Sequence, residues 1–208
     1  MTSLTGHAPV RPQSQAAGAR AAEAQVTVSV GMAVALAAVL MTFAAMLLAY
    51  AILRVQAPSW PPAGEQRPPS VWPWPTVATL LALLGSAAML DAERSMSRSE
   101  GTPPRAVRLS LLCAAGAGLA FVTVQIAAWS WLVRVGVRPD SGLVASVVYG
   151  LTVFHGVHAL AAVLVLLPLL VRSWRRRSVT LSSLRAVSSF WHLVTVLWVV
   201  VFLAVFVA

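Results

Sequence analysis

The chain has 208 residues, of which 59% are hydrophobic and only 10% charged, with a mean hydropathy of +0.81. A soluble domain carries roughly 25% charged residues, so this composition excludes an ordinary water-soluble fold and points to a chain whose solvent is mostly lipid. The formal net charge is +9 and all fifteen basic residues are arginine; they stand between apolar runs with no aromatic-interleaved basic stripe, which argues for lipid headgroups and against nucleic acid as the partner.

Residues 1–25 are rich in Ala, Ser, Gln and Gly. They lack the apolar content to pack, and they predict a disordered arm. A first membrane span is predicted over 26–53, which holds no charge before its end at Leu53. A hydrocarbon core needs about 20 apolar residues, so this run crosses with tilt. Ala49-Tyr50-Ala51 has the look of a cleavage site. A signal peptide's apolar region is only about 7–15 residues, however, so the run reads as an uncleaved helix. Residues 54–75 hold Pro58, Pro61, Pro62, Pro68, Pro69, Pro73 and Pro75. That density predicts a loop, with Trp60, Trp72 and Trp74 as an interfacial belt.

Four further spans are predicted over 76–92, 106–133, 141–171 and 184–208. The sequence is thus that of an all-α integral membrane protein with five transmembrane helices, residues 26–208 forming one transmembrane domain. Eleven of the fifteen arginines fall on the arm and the second and fourth loops, including Arg94, Arg98, Arg105, Arg108, Arg172, Arg175 and Arg185. The other four, Arg54, Arg67, Arg134 and Arg138, fall on the opposite side. The positive-inside rule places the N-terminus in the cytoplasm and the C-terminus outside.

Polar residues inside the spans are candidates for function. They are Gln125 in the third span, His155 and His158 in the fourth, and His192 in the fifth. No span interior holds Asp, Glu or Arg, which argues against a proton pump, a coupled transporter or a cation pore. His155 and His158 are three apart and share a helix face. One reading is a bis-His haem with His192. At ~1.5 Å per residue, His158 lies on the order of 20 Å from the cytoplasmic end of its helix and His192 about 12 Å, a mismatch that does not favour it. The other reading is hydrogen bonding between helices. No metal site is predicted, since no Cys or acid is placed to complete a ligand set. Trp191 and Trp198 are seven apart, on one face of the fifth span, and read as packing. Cys113 can form no internal disulfide.

The fourth span reads Tyr149-Gly-Leu-Thr-Val-Phe-His-Gly-Val-His158. It resembles the Thr-Gly-Phe-His-Gly-Leu-His signature of subunit III of the haem–copper oxidases. The fifth reads Phe190-Trp-His-Leu-Val-Thr-Val-Leu-Trp198, similar to that family's Tyr-Trp-His-Phe-Val-Asp-Val-Val-Trp. Gly118, Phe121, Gln125 and Trp129 follow the family's third-helix spacing. The first span, with Gly31-Met32, Met41, Ala49-Tyr50, Leu53-Arg54 and the following Trp60-Pro61-Pro62, also resembles the family's opening helix. Four family acids fall on Val39, Ala128, Arg185 and Thr195, which marks a divergent member.

The resemblance implies a five-helix subunit III, with a two-helix and a three-helix group enclosing a phospholipid-binding cleft. It implies a non-redox accessory subunit of a cytochrome c or quinol oxidase in a bacterial plasma membrane. That subunit would stabilise subunit I by direct contact and support proton uptake, holding no haem or copper itself while partner subunits hold both. By resemblance, Arg54, Gln125, His155, His158, Trp191, His192 and Trp198 make lipid or interhelical polar contacts, and no residue is catalytic. The rival readings are an accessory subunit of nitric oxide reductase and a haem-binding membrane protein.

Overall fold

The computed structural model describes residues 12–63, 65, 73–99, 104–175 and 179–207. The regular elements among the described residues are all helices: α1 (Pro12–Gln56), α2 (Pro73–Ser97), α3 (Arg105–Arg134), α4 (Leu143–Trp174) and α5 (Leu181–Phe202), with a π-helical turn at Leu203–Val207. All five helices are long and apolar enough to cross a membrane. The apolar stretches of these helices are Ser29–Gln56, Pro73–Ser97, Arg105–Arg134, Leu143–Trp174 and Leu181–Val207.

α1 begins at Pro12, so residues 12–25, expected as part of a disordered arm, are helical. Proline is tolerated at the first helical position, and the segment is alanine-rich. Extending a helix already nucleated by a long apolar span needs only propagation. Residues 1–11 of the expected arm lie outside the described residues. α2 likewise starts earlier than expected, at Pro73, because Pro73 and Pro75 both sit in its first turn, where a missing N–H costs nothing. Trp74 therefore belongs to the helix; Arg67, Pro68, Pro69 and Trp72 lie outside the described residues.

The chain divides into two compact units, Met1–Ala38 and Val39–Ala208, with the boundary inside α1. In the first unit the helix exposes Val26, Val30 and Val34. In the second, α2 packs on α3, α3 on α4, α4 on α5, and α5 back on α2, closing a ring of four helices. Residues 39–56 of α1 lie outside that ring and touch it through large side chains. Phe43 is fully buried against Phe154, His155 and His158.

α2 is a full member of the ring with α3 and α5. The reason is in the side chains: Ala88, Met89, Ala92 and Met96 of α2 share one core with Val107, Leu111 and Ala114 of α3 and Leu184, Val187 and Trp191 of α5. Small residues let those backbones approach closely.

The ring is apolar outside and partly polar inside. Leu80, Leu84, Leu112, Leu119, Val157, Leu164 and Val196 are exposed, whereas Gln125, Thr152, His155, Ser188 and Thr195 are buried. A water-soluble protein does not expose so continuous an apolar surface; one solvated by lipid does.

Candidate functional site

The interior of the ring is held by tryptophans, each received by small residues on a neighbouring helix. Trp191 of α5 enters a notch made by two glycines. A Cβ on Gly85 of α2 would stand 2.9 Å from Trp191 Cζ2, and one on Gly118 of α3 would stand 2.6 Å from its Cη2. Trp129 of α3 meets α4 in the same way, 2.9 Å from the place a Gly156 Cβ would take.

Two tryptophans also make the same polar lock. Trp198 Nε1 donates to Thr79 Oγ1 at 2.9 Å, and Thr79 donates to the Pro75 carbonyl at 2.8 Å. Trp129 Nε1 donates to Thr152 Oγ1 at 3.0 Å, and Thr152 donates to the Val148 carbonyl at 2.6 Å. In each lock a hydroxyl accepts from the indole across the helix interface and passes its own proton to the carbonyl one turn back. Without water, that is how a threonine satisfies both its roles.

His192 sits between two serines. Its Nδ1 is 2.6 Å from Ser86 Oγ on α2, and its Nε2 is 3.0 Å from Ser188 Oγ one turn back on α5. An uncharged imidazole has one N–H and one lone pair, so one serine accepts from the ring and the other donates to it. His158 Nδ1 is 2.8 Å from the Phe154 carbonyl. His155 is 1% exposed and lies among rings: Trp198 at 5.0 Å, Phe121 at 5.5 Å and Phe43 at 5.9 Å between centroids. Its Nδ1, and Nε2 of the buried Gln125, have no hydrogen-bond partner among the described residues.

A cavity of about 30 Å³ lies beside His155, lined also by Ala82, Gly118, Phe121, Ala159, Ala162, Trp191, Val194 and Thr195. Of the positions where family acids were expected, Ala128 and Thr195 are buried, Val39 is packed against the aromatic core, and Arg185 is exposed at an end of α5.

At the far end of α5 the chain winds into its π-helical turn. Tyr50 OH donates to the Ala204 carbonyl there at 3.1 Å, and Arg54 Nη1 donates to Tyr50 OH at 2.9 Å. Arg54 thus ties the end of α1 to the end of α5. The loop after α1 is tied to α4 by Glu65. Its two carboxylate oxygens accept from the backbone N–H groups of Leu143, at 2.7 Å, and Val144, at 2.9 Å. Free N–H groups and the positive end of the helix dipole make this a favourable seat for a carboxylate. Gly142, with φ of +152°, leaves the space: a Cβ there would stand 2.6 Å from Glu65 Cδ.

Of the residues singled out from sequence, the fold brings His155, His158 and Trp198 to one aromatic cluster with Phe43 and Phe121. It sets His192 against α2 and Trp191 in the glycine notch, and Arg54 lies apart at the end of α1. With both ring nitrogens of His192 engaged by serines, pairing it with His155 or His158 on a haem would break one of those bonds. Among the described residues no three of His, Cys, Asp and Glu gather as a metal site. Sequence reasoning missed Ser86, Thr79, Thr152 and Glu65. Ser188 alone carried a signal, being four residues before His192 on the same face.

The sequence model of the family described as cytochrome c oxidase subunit III matches residues 4–208. The chain is 28% identical over 167 residues to cytochrome c oxidase subunit 3 of Synechocystis sp., covering 79% of this chain and 68% of the relative. It is 25% identical over 168 residues to that of Thermostichus vulcanus, covering 79% of each. A stretch of 91 residues is 30% identical to cytochrome bo(3) ubiquinol oxidase subunit 3 of Pseudomonas aeruginosa, covering 43% of this chain and 44% of the relative. With five apolar helices joined as described and a family match across almost its whole length, this multi-pass membrane protein belongs to the cytochrome c oxidase subunit III family.

Proposed function

We propose that the chain is a non-redox accessory subunit of a respiratory haem–copper oxidase. It binds directly to the catalytic subunit I, stabilises it, and supports proton uptake while subunits other than this one carry haem and copper. The observation that carries this reading is the family match over residues 4–208. The interior chemistry supports it: Trp129, Trp198 and His192 are engaged by Thr152, Thr79, Ser86 and Ser188 on their own or neighbouring helices. Gln125, His155, His158, Trp191, His192 and Trp198 serve helix packing, and Arg54 meets lipid headgroups at the bilayer boundary. The chain is placed in a bacterial plasma membrane, and the arginine bias supports an N-terminus in the cytoplasm and a C-terminus outside.

The test is affinity purification of the tagged full chain from mild detergent. Recovery of oxidase subunit I, with faster loss of oxidase turnover in a strain lacking this chain, is the expected result. Recovery of nitric oxide reductase subunits alone would overturn the proposal in favour of the rival complex. A haem absorption band from the purified chain by itself would overturn it in favour of a haem protein.

A further inference from the structure

Three of the four seams of the helix ring are joined by a direct side-chain hydrogen bond. Ser110 of α3 donates to Asp91 of α2 at 2.5 Å, Trp129 of α3 donates to Thr152 of α4, and α5 reaches α2 through Trp198 with Thr79 and His192 with Ser86. The seam between α4 and α5 is also packed, yet no direct side-chain hydrogen bond crosses it among the described residues. The cavity of about 30 Å³ lies on this seam: His155, Ala159 and Ala162 of α4 meet Trp191, Val194 and Thr195 of α5 around it.

His155 and Thr195 bring polar side chains to the cavity wall, and both are buried. Neither makes a side-chain hydrogen bond to another described residue. His155 Nδ1 is sealed within the packing, which leaves Nε2 as the ring nitrogen able to serve the cavity. An uncharged imidazole carries one N–H. On Nδ1 that N–H would be a stranded donor. On Nε2 it gives the cavity a donor and leaves Nδ1 a bare lone pair, and orphaned acceptors are tolerated more often than orphaned donors. A donor on α4 and a hydroxyl on α5, which can donate or accept, thus share an otherwise apolar space.

We infer that this cavity binds a water molecule, which accepts from His155 Nε2, donates to Thr195 Oγ1 and so closes the fourth seam of the ring. The volume allows it, since roughly 10–15 Å³ holds one water when about two to four polar groups line the site. The two partners stand on different helices, so the water is a bridge between them. An apolar occupant of the same size would leave both polar groups unpaired in the core, which costs more than holding a water in place. Replacing His155 with an apolar ring removes the anchor and the water together, and the loss of both partners of a hydrogen bond costs little stability. The inference rests on the packing of the ring and not on the proposed oxidase role.

The test is NMR of the full chain in mild detergent, with nitrogen-15 in histidine and labelled methyl groups in alanine. The sequence holds four histidines, and His155→Phe assigns the His155 signals by their disappearance. The unsubstituted chain is expected to show His155 protonated on Nε2, with a cross-peak from that proton to a bound water. Thr195→Val keeps the side-chain shape and should abolish the cross-peak, whereas Thr195→Ser, which keeps the hydroxyl, should retain it. Xenon gives a second reading, because a dry apolar cavity takes up the gas and a hydrated one does not. Xenon should leave the methyl signals of Ala159 and Ala162 unmoved in the unsubstituted chain and shift them in Thr195→Val. A proton on Nδ1, the lack of a water cross-peak in the unsubstituted chain, or a xenon shift in that chain overturns the inference in favour of a dry cavity. A water cross-peak that survives Thr195→Val overturns the bridge.

Discussion

Trp191 fills the space that a side chain on Gly118 would need, its Cη2 standing 2.6 Å from the Cβ position. Val163 closes the other side of that position, also at 2.6 Å. Trp191 is also held against Gly85, which limits its room to yield. Gly118→Ala is therefore expected to destabilise the ring by about 1–3 kcal/mol, the ordinary cost of overpacking. Thermal unfolding in detergent reads this. Pairing it with Trp191→Leu should cost less than the sum of the single changes, because the leucine vacates the contested volume. A Gly118→Ala protein as stable as the parent would refute the notch.

Glu65 joins two segments that nothing local in sequence connects. Its carboxylate caps the N-terminus of α4 through Leu143 and Val144. Glu65→Ala should cost about 1–2 kcal/mol, the range for loss of a helix cap, and proteolysis in the loop following α1 should become faster. Gly142→Ala should do the same by a different route, displacing the carboxylate and straining a backbone at φ +152°. If loop cleavage is unchanged in both variants, the cap does not hold the loop.

The five spans were legible in sequence because a lipid solvent writes them as long uncharged runs, and because arginines mark their ends. Helix grouping was not. Whether α2 joins α1 or the ring depends on which face carries Ala88, Met89 and Ala92, and in an almost uniformly apolar helix no periodicity separates lipid-facing from packed positions. The histidines stood out as rare polar residues, but their partners did not. Ser86, Thr79 and Thr152 are small and common in membrane helices, and only the fold places them opposite His192, Trp198 and Trp129. The early start of α2 was hidden by Pro73 and Pro75, which read as loop residues until their first-turn position is known.

The paired Trp–Thr locks give a third prediction. Thr79→Val and Thr152→Val each keep side-chain shape while removing the acceptor for an interhelical indole N–H. Interhelical hydrogen bonds in membranes average about 0.6 kcal/mol and reach about 1.7. Each valine should fall in that range. The locks join different helix pairs, α2 with α5 and α3 with α4, so the two effects should add. Unfolding measured on the two single variants and the double variant checks this; a double variant no worse than either single one would show that the locks are not independent.

His155 and His192 should respond oppositely to the same kind of substitution. Replacing His192 with leucine strands the hydroxyls of Ser86 and Ser188 at a helix interface, and stability should fall by about 1 kcal/mol or more. His155 differs: its Nδ1 has no partner among the described residues, and its ring packs against Phe43, Phe121 and Trp198. Replacing an unsatisfied buried polar group with an apolar one of similar shape is close to neutral or stabilising, so His155→Phe should leave the unfolding temperature unchanged or raise it. Turnover of the parent complex then separates two roles. If His155→Phe is stable and the complex turns over normally, His155 is a packing residue. If it is stable and turnover drops, the ring nitrogen acts in the assembled complex, and the aromatic cluster around it is a support for that nitrogen instead of its purpose.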